Sequence, residues 1–126
     1  MTGKRILVVD DEPDIHKIAQ LGLSMTTSWE VLTATSGADG FEIALKEQPD
    51  AILLDAMMPV QDGIATIQQL KAEPKTQDIP VIFFTAKAQA ANRREFYQLG
   101  ASGVVTKPFD PTTLGSQIAG FLGWQL

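Results

Sequence analysis

The sequence contains no cysteine and only one histidine, His16. Without cysteine the chain can form no disulfide, thiol nucleophile or thiolate metal site, and one histidine cannot make a histidine-rich zinc site. Long hydrophobic runs are missing as well. The first apolar run, Ile6–Val9, stops at Asp10 and is too short for a signal peptide, and no stretch reaches the length of a membrane span. We therefore expect a cytoplasmic protein that does not contact membranes.

Positive charge is scarce. Lysine and arginine total 10 residues against 15 acidic ones, which gives a net charge of −5. This balance disfavours direct binding to nucleic acid or to acidic lipids, because their phosphates would be repelled. The 126 residues, 44% of them hydrophobic, suit one domain with a sizeable core. With no repeat or linker in view, we expect residues 1–126 to form a single domain without an effector domain.

Short apolar runs alternate with helical patterns along the chain. Continuous apolar runs are typical of strands that are covered on both faces. Five such strands are predicted, at about 6–9, 29–35, 51–55, 80–85 and 104–106. Helices are predicted at about 13–25, 37–46, 63–73, 87–99 and 111–122. Strict alternation predicts an α/β fold, a parallel sheet with helices on both faces and right-handed crossovers.

Helix starts and inward faces can also be predicted. Ser36 is an N-cap candidate for the second helix, and Asp110 with Pro111 forms an N-cap and N1 pair for the last helix. The predicted inward stripe of the first helix consists of Ile15, Ile18, Ala19, Gly22 and Met25. The predicted inward residues of the last helix are Leu114, Ile118, Phe121 and Leu122.

Polar residues stand at the ends of four predicted strands. They are Asp10, Asp11, Asp55, Thr85 and Lys107. Because the carboxyl ends of parallel strands share one edge of the sheet, we expect these side chains to converge. Clustered carboxylates repel one another, and Mg²⁺, which prefers oxygen ligands, relieves that repulsion. With a lysine and a hydroxyl nearby, the site suits a phosphoryl group, and Asp55 is the candidate nucleophile because carboxylates form acyl phosphates.

At these positions the chain resembles the response-regulator receiver domains of two-component signalling, in particular the chemotaxis regulators. The motifs that carry the resemblance are Val8–Asp11, Leu54–Asp55, Met58–Pro59, Gly63, Phe84–Ala86 and Lys107–Phe109. The resemblance covers essentially the whole chain. It implies a flavodoxin-like, doubly wound sheet of five parallel strands in the order 2-1-3-4-5 with five helices. It also implies a sensor histidine kinase or histidine phosphotransfer protein as the phosphoryl donor.

The resemblance implies a role for each site residue. Asp55 would accept the phosphoryl group, and Lys107 would pair with it across a cis Lys107–Pro108 bond. Asp11 would bind Mg²⁺ directly and Asp10 mostly through water, and Asp55 and the backbone carbonyl of Met57 would complete the protein ligands. Thr85 would bond a phosphoryl oxygen and shift inward. The implied chemistry is Mg²⁺-dependent self-phosphorylation with slow autodephosphorylation, without turnover of a separate substrate.

Two departures from the family pattern lead to predictions. The family often has an aromatic residue three positions before the lysine, where this chain has Val104, which cannot swing between rotamers as a ring does. We expect the output change to run through the Thr85 loop and the Lys87–Leu99 helix, whose face would bind a downstream protein. Bulky Met57 and Lys87, two residues beyond Asp55 and Thr85, should shield the acyl phosphate and give it a lifetime of minutes or longer.

Two other functions remain open at this point. A flavin-binding electron carrier can use the same sheet, although Asp10 and Asp11 stand where such a protein needs a phosphate loop. A degenerate receiver that binds partners without phosphorylation is the other, although such chains usually lack an acidic residue, the acceptor or the lysine. His16 is expected to be an ordinary surface or partner-face histidine, and Ile15, His16 and Ile18 are expected to border the kinase-docking surface.

Overall fold

The computed structural model describes residues 4–56, 63–86, 90–107 and 109–124. The strands are β1 Arg5–Val9, β2 Glu30–Ala34, β3 Ala51–Asp55, β4 Val81–Thr85 and β5 Gly103–Thr106. The helices are α1 Pro13–Thr26, α2 Gly37–Glu47, α3 Gly63–Ala72, α4 Ala90–Gln98 and α5 Leu114–Leu122. All strand pairs are parallel and the order is β2-β1-β3-β4-β5, which confirms the predicted flavodoxin-like topology.

The sheet separates two cores because alternate residues of each strand point to opposite faces. One core joins the sheet to α2, α3 and α4 and includes Leu7, Leu54, Phe83 and Val104. The other joins it to α1 and α5 and includes Val8, Leu53, Phe84 and Val105. β1, β3 and β4 are buried almost throughout, as their unbroken apolar runs predict.

The predicted stripe of α1 is rotated relative to the one in the structure. His16, Ala19, Gly22 and Leu23 are buried, whereas Ile18 is 40% and Met25 is 69% exposed. Apolar residues cover a broad arc of this helix, wider than the face that meets the core, so spacing alone does not fix which part of the arc is buried. The side chains that turn toward the sheet are those of His16, Ala19 and Leu23. The prediction that Ile18 and Met25 face inward is therefore wrong.

The last helix starts later than the Asp110–Pro111 signal predicts. The Asp110 carboxylate accepts from the backbone N–H and the hydroxyl of Thr112, at 2.9 and 2.7 Å. These bonds close a turn over residues 111–113 and lower the pKa of Asp110, and α5 then begins at Leu114. Local side-chain bonds of this kind compete with helix formation. Phe121, predicted to face inward, is 38% exposed.

Other predicted features are confirmed or lie outside the described residues. The Ser36 hydroxyl caps α2 by accepting from the backbone N–H of Asp39 at 3.1 Å. The predictions for Met57, Lys87 and the Lys107–Pro108 bond depend on residues 57, 87 and 108, which are not described. In the described ranges, none of the helices combines the length and apolar character that a membrane span requires.

Candidate functional site

Three of the predicted site residues share one face of the sheet. Each of them lies two residues after a strand residue whose side chain belongs to the core facing α1 and α5. These site residues are Asp10, Asp55 and Lys107. Two positions along an extended chain return to the same face. The strand pattern therefore directs two carboxylates and an ammonium to one corner, next to the N-terminus of α1.

The ammonium of Lys107 joins these groups. Its Nζ lies 2.9 Å from Asp10 Oδ2 and 3.3 Å from Asp55 Oδ2. It also lies over the ring of Phe84, 4.6 Å from the centroid, where the ring face attracts a cation. The predicted convergence of Asp10, Asp55 and Lys107 is present.

The carboxylates form a compact acidic cluster. Asp10 and Asp55 are buried, Asp11 is exposed, and one oxygen from each lies within 4.8 Å of the others. In the described part of the chain a single ammonium, that of Lys107, balances only part of this charge, so the cluster favours an added cation. Three carboxylate oxygens at such separations fit a hard divalent ion such as Mg²⁺, with water in its remaining positions.

The pKa of Lys107 is raised above its ordinary value. Burial by itself lowers this pKa, but the hydrogen bond and charge of Asp10, joined by those of Asp55, outweigh the burial. The lysine is therefore firmly protonated at neutral pH. It supplies a fixed positive charge beside the Asp55 carboxylate, which is what a transferring phosphoryl group needs.

Thr85 is the last residue of β4. Its side chain is buried, with 1% of the residue exposed, and its carbonyl accepts from the backbone N–H of Lys107 at 2.9 Å. The backbone of Lys107 is thus held by the residue that ends the neighbouring strand. The next residue, Ala86, is exposed.

Gly63 packs against the backbone at the end of β3. A Cβ at this position would meet the carbonyl oxygen of Asp55, the Cα of Ala56 and the ring of Phe83. The N–H of Gly63 also donates to the carbonyl of Ala56 at 3.2 Å. Only glycine allows α3 to begin this close to Asp55.

One residue of the site is missed by the sequence analysis. His16 is predicted to lie on the surface, and this prediction is wrong. It is 8% exposed, and its Nε2 lies 2.8 Å from the carbonyl oxygen of Asp10. The signal was its spacing to Ala19 and Leu23, which places all three on the inward face of α1.

Comparison with known proteins agrees with this geometry. The family model of the response regulator receiver domain matches residues 6–119. The chemotaxis response regulator CheY4 of Vibrio cholerae has a similar structure, with a TM-score of 0.88 and 28% identity over 95% of this chain and 99% of that one.

Longer proteins are similar as well. The phosphate regulon transcriptional regulatory protein PhoB of Pseudomonas aeruginosa is 37% identical over 97% of this chain and 53% of its own length. The DNA-binding dual master transcriptional regulator RpaA of Synechocystis is 36% identical over 94% of this chain and 48% of its own length. The chain spans about half the length of these curated relatives. It belongs to the response regulator receiver domain family of two-component signalling.

Proposed function

We propose that Asp55 is the phosphoryl acceptor of this receiver domain. The observation that carries the proposal is the Lys107 ammonium, which lies 3.3 Å from Asp55 and 2.9 Å from Asp10 within a cluster of three carboxylates. The donor is a phosphohistidine on a sensor kinase or phosphotransfer protein. An Asp55 oxygen forms the new O–P bond while the N–P bond of the donor breaks, and its electron pair returns to the imidazole.

The side chains around Asp55 divide the remaining work. Lys107 holds a positive charge beside the incoming phosphoryl group, and the Thr85 hydroxyl donates to one of its oxygens. Asp10, Asp11 and Asp55 would hold Mg²⁺, with the Met57 carbonyl as a further ligand in the part of the chain that is not described. When bound, Mg²⁺ would neutralise the carboxylates and spread the phosphoryl charge.

The donor protein would dock beside α1. Ile15, Ile18 and Phe109, with Ala86 and Lys107, line an apolar cavity of about 260 Å³ that borders the acidic cluster. Ile18 is 40% exposed at its rim. A partner that covers this cavity would bring its phosphohistidine to Asp55 and exclude water from it.

The output partner would bind the face of α4. Val104 is 4% exposed within the core and keeps its side chain there, so it offers no movable ring. α4 is instead tied to the sheet by the rings of Phe83 and Phe96, 4.6 Å apart, and by a 3.3 Å bond from Arg93 to the Thr106 hydroxyl. These ties are the route by which a shift of Thr85 would reach the Lys87–Leu99 segment.

An NMR comparison with and without a phosphoryl mimic tests this route. We expect shift changes in α4 and in the residues after Thr85, with Val104 little affected. Changes that cluster at Val104 and spare α4 would refute it.

We infer that residues 1–126 act through proteins and do not bind nucleic acid themselves. The net charge of −5 supports this, because a duplex would repel the domain. The longer relatives are transcriptional regulators, so a gel-shift assay with nonspecific DNA is the direct check. Binding that weakens steeply with salt would contradict the inference.

The flavin-carrier alternative is not favoured. The phosphate of a flavin would meet Asp10 and Asp11 at the end of β1, and the family match supports a receiver domain. The degenerate receiver is the competing reading of the same fold, and the phosphorylation experiment separates it from our proposal.

The deciding experiment is incubation with acetyl phosphate and Mg²⁺ followed by intact mass. We expect a gain of about 80 Da, one phosphoryl unit on a carboxylate, and no gain in Asp55→Asn. Asp39→Asn is the matched control, because it removes an exposed carboxylate from α2. A wild-type mass that stays unchanged with several donors, or a gain that persists in Asp55→Asn, would end the proposal.

A further inference from the structure

His16 makes a buried contact with the backbone of the acidic loop. Its Nε2 lies 2.8 Å from the carbonyl oxygen of Asp10, and the residue is 8% exposed. A carbonyl oxygen only accepts, so Nε2 carries the proton and donates. This is true of the neutral ring in one tautomer and of the charged ring alike, so the contact needs no particular charge on His16.

The bond from His16 is one of several hydrogen bonds that hold Asp10 in place. The N–H of Asp10 donates to the Ala34 carbonyl at 3.0 Å. Its two carboxylate oxygens accept from the Glu12 N–H at 2.7 Å and from Lys107 at 2.9 Å. His16 acts on the remaining polar atom, the carbonyl oxygen. That atom belongs to the peptide that leads into Asp11.

The direction of that peptide decides where Asp11 stands. A peptide unit is planar, so an anchored Asp10 carbonyl also fixes the following N–H and the position of the Asp11 Cα. Asp11 is exposed, yet one of its oxygens lies within 4.8 Å of those of Asp10 and Asp55. Solvent alone does not hold an exposed carboxylate in place, so its position depends on the backbone.

We propose that His16 is a positioning residue that holds the Asp10–Asp11 peptide, and through it the Asp11 carboxylate, for a divalent cation. The inference rests on the proposed metal role of the acidic cluster. It assigns the histidine neither a phosphoryl group nor a metal bond. Its effect is to reduce the reorganisation that Asp11 undergoes when the cation binds.

The test is titration calorimetry of the unphosphorylated chain with Mg²⁺. His16→Phe keeps a ring of similar shape and removes the donor, and we expect its Kd for Mg²⁺ to rise about five- to tenfold. His16→Gln keeps an N–H donor and should recover most of the affinity. Gln20→Leu changes the exposed face of the same helix and should leave the Kd unchanged.

Thermal unfolding in EDTA separates positioning from simple stability. A His16→Phe variant that melts earlier but binds Mg²⁺ like the wild type would overturn the proposal while leaving the acceptor role of Asp55 intact. A wild-type chain that binds no Mg²⁺ would overturn both this proposal and the metal site on which it rests.

A measurement on the wild type covers the case in which His16→Phe does not fold. In ¹⁵N NMR of the imidazole, we expect Nε2 to be protonated at neutral pH and its resonance to move as Mg²⁺ is added. An unprotonated Nε2, or an Nε2 resonance that does not shift when Mg²⁺ is added, would refute the positioning role.

Discussion

The ammonium of Lys107 lies between two buried carboxylates and above an aromatic ring. A buried ion pair is costly to form because both charges leave water, and it is more costly to break because one charge then stays behind. Asp10 is in that position, since it is 0% exposed and, among the described residues, its carboxylate would keep only the bond from the backbone N–H of Glu12. Lys107 therefore supports the stability of this corner in addition to the phosphoryl chemistry that we propose for it.

The raised pKa of Lys107 predicts a loss of stability at alkaline pH. The folded state binds this proton more tightly than the unfolded state, whose lysine titrates near 10.4. The contribution is therefore complete below that pH and is lost as the pH rises through the folded-state pKa. Urea unfolding from pH 9 to pH 12 should show the wild type losing more stability than Lys107→Met. Parallel curves for the two proteins would contradict this prediction.

At the residue scale, the sequence predicts the strand-end groups well and the contacts behind them poorly. Asp10, Asp55 and Lys107 follow from buried runs and from the parity of extended chains. The spacing of His16 to Ala19 and Leu23 indicates that it is buried, but its bond to the Asp10 carbonyl could not be predicted, because residue types do not show where backbone groups lie. The roles assigned to Met57 and Lys87 depend on loops outside the described residues and stay predictions.

At the scale of elements, α1 and α5 approach closely through small residues. A Cβ on Gly22 would meet the carbonyl group of Pro111, just before α5, and one on Gly115 would meet the Thr27 side chain. The glycines therefore let α1 lie against the segment that follows Lys107. This packing holds the two walls of the cavity beside the acidic cluster at a fixed separation.

Two glycine substitutions should change stability in opposite directions. Gly22→Ala places a methyl group against backbone, and we expect it to lower the free energy of unfolding by about 1–3 kcal/mol. Gly120→Ala in α5 has open space around the new methyl group and should raise it by about 0.5–1 kcal/mol through helix propensity. Urea unfolding of both variants is the check. A Gly22→Ala variant as stable as Gly120→Ala would show that α1 can move away at little cost.

The errors at the scale of elements have local causes. Apolar residues cover a broad arc of α1, so their helical spacing is clear but does not show which side of the helix faces the core. The start of α5 is displaced because the Thr112 and Thr113 hydroxyls bond back to Asp110 and close a separate turn. Composition favoured the helix, and specific side-chain bonds moved its first residue.

For the whole molecule, the acidic cluster sets a limit on stability without a cation. The protein carries a net charge of −5, and three of its carboxylates meet at one edge of the sheet. Folding brings these charges together, whereas the unfolded chain keeps them apart. A cation that binds only the folded chain therefore shifts the folding equilibrium.

Mg²⁺ should raise the melting temperature. At a concentration 100 times the Kd, the folded state gains about 2.7 kcal/mol, which corresponds to a rise of about 10 °C in melting temperature for a domain of this size. Calorimetric scans in Mg²⁺ and in EDTA, at equal ionic strength, measure the shift. Asp11→Asn should reduce it, and Asp39→Asn should not. An equal shift in all three proteins would indicate nonspecific screening.

The layers of the fold could be predicted from hydrophobic periodicity, but the order of the strands could not. Alternation of buried runs and helical patterns leads to a parallel sheet covered on both faces, and physical rules go no further. Many strand orders satisfy that pattern, and the order 2-1-3-4-5 was predicted from the resemblance of the sequence motifs to those of receiver domains. The strand order therefore needed information beyond hydrophobic periodicity.

The ring of Phe83 touches two elements that sequence separates widely. It stacks on Phe96 of α4, and it also limits the space at Gly63, where α3 begins beside Asp55. The effect of a substitution at position 63, 83 or 96 therefore depends on the residues at the other two positions. A side chain at 63 would meet the backbone of Asp55 and Ala56 as well as this ring, so a smaller residue at 83 would not by itself make room for one, whereas loss of bulk at 96 would leave the Phe83 ring without its aromatic neighbour.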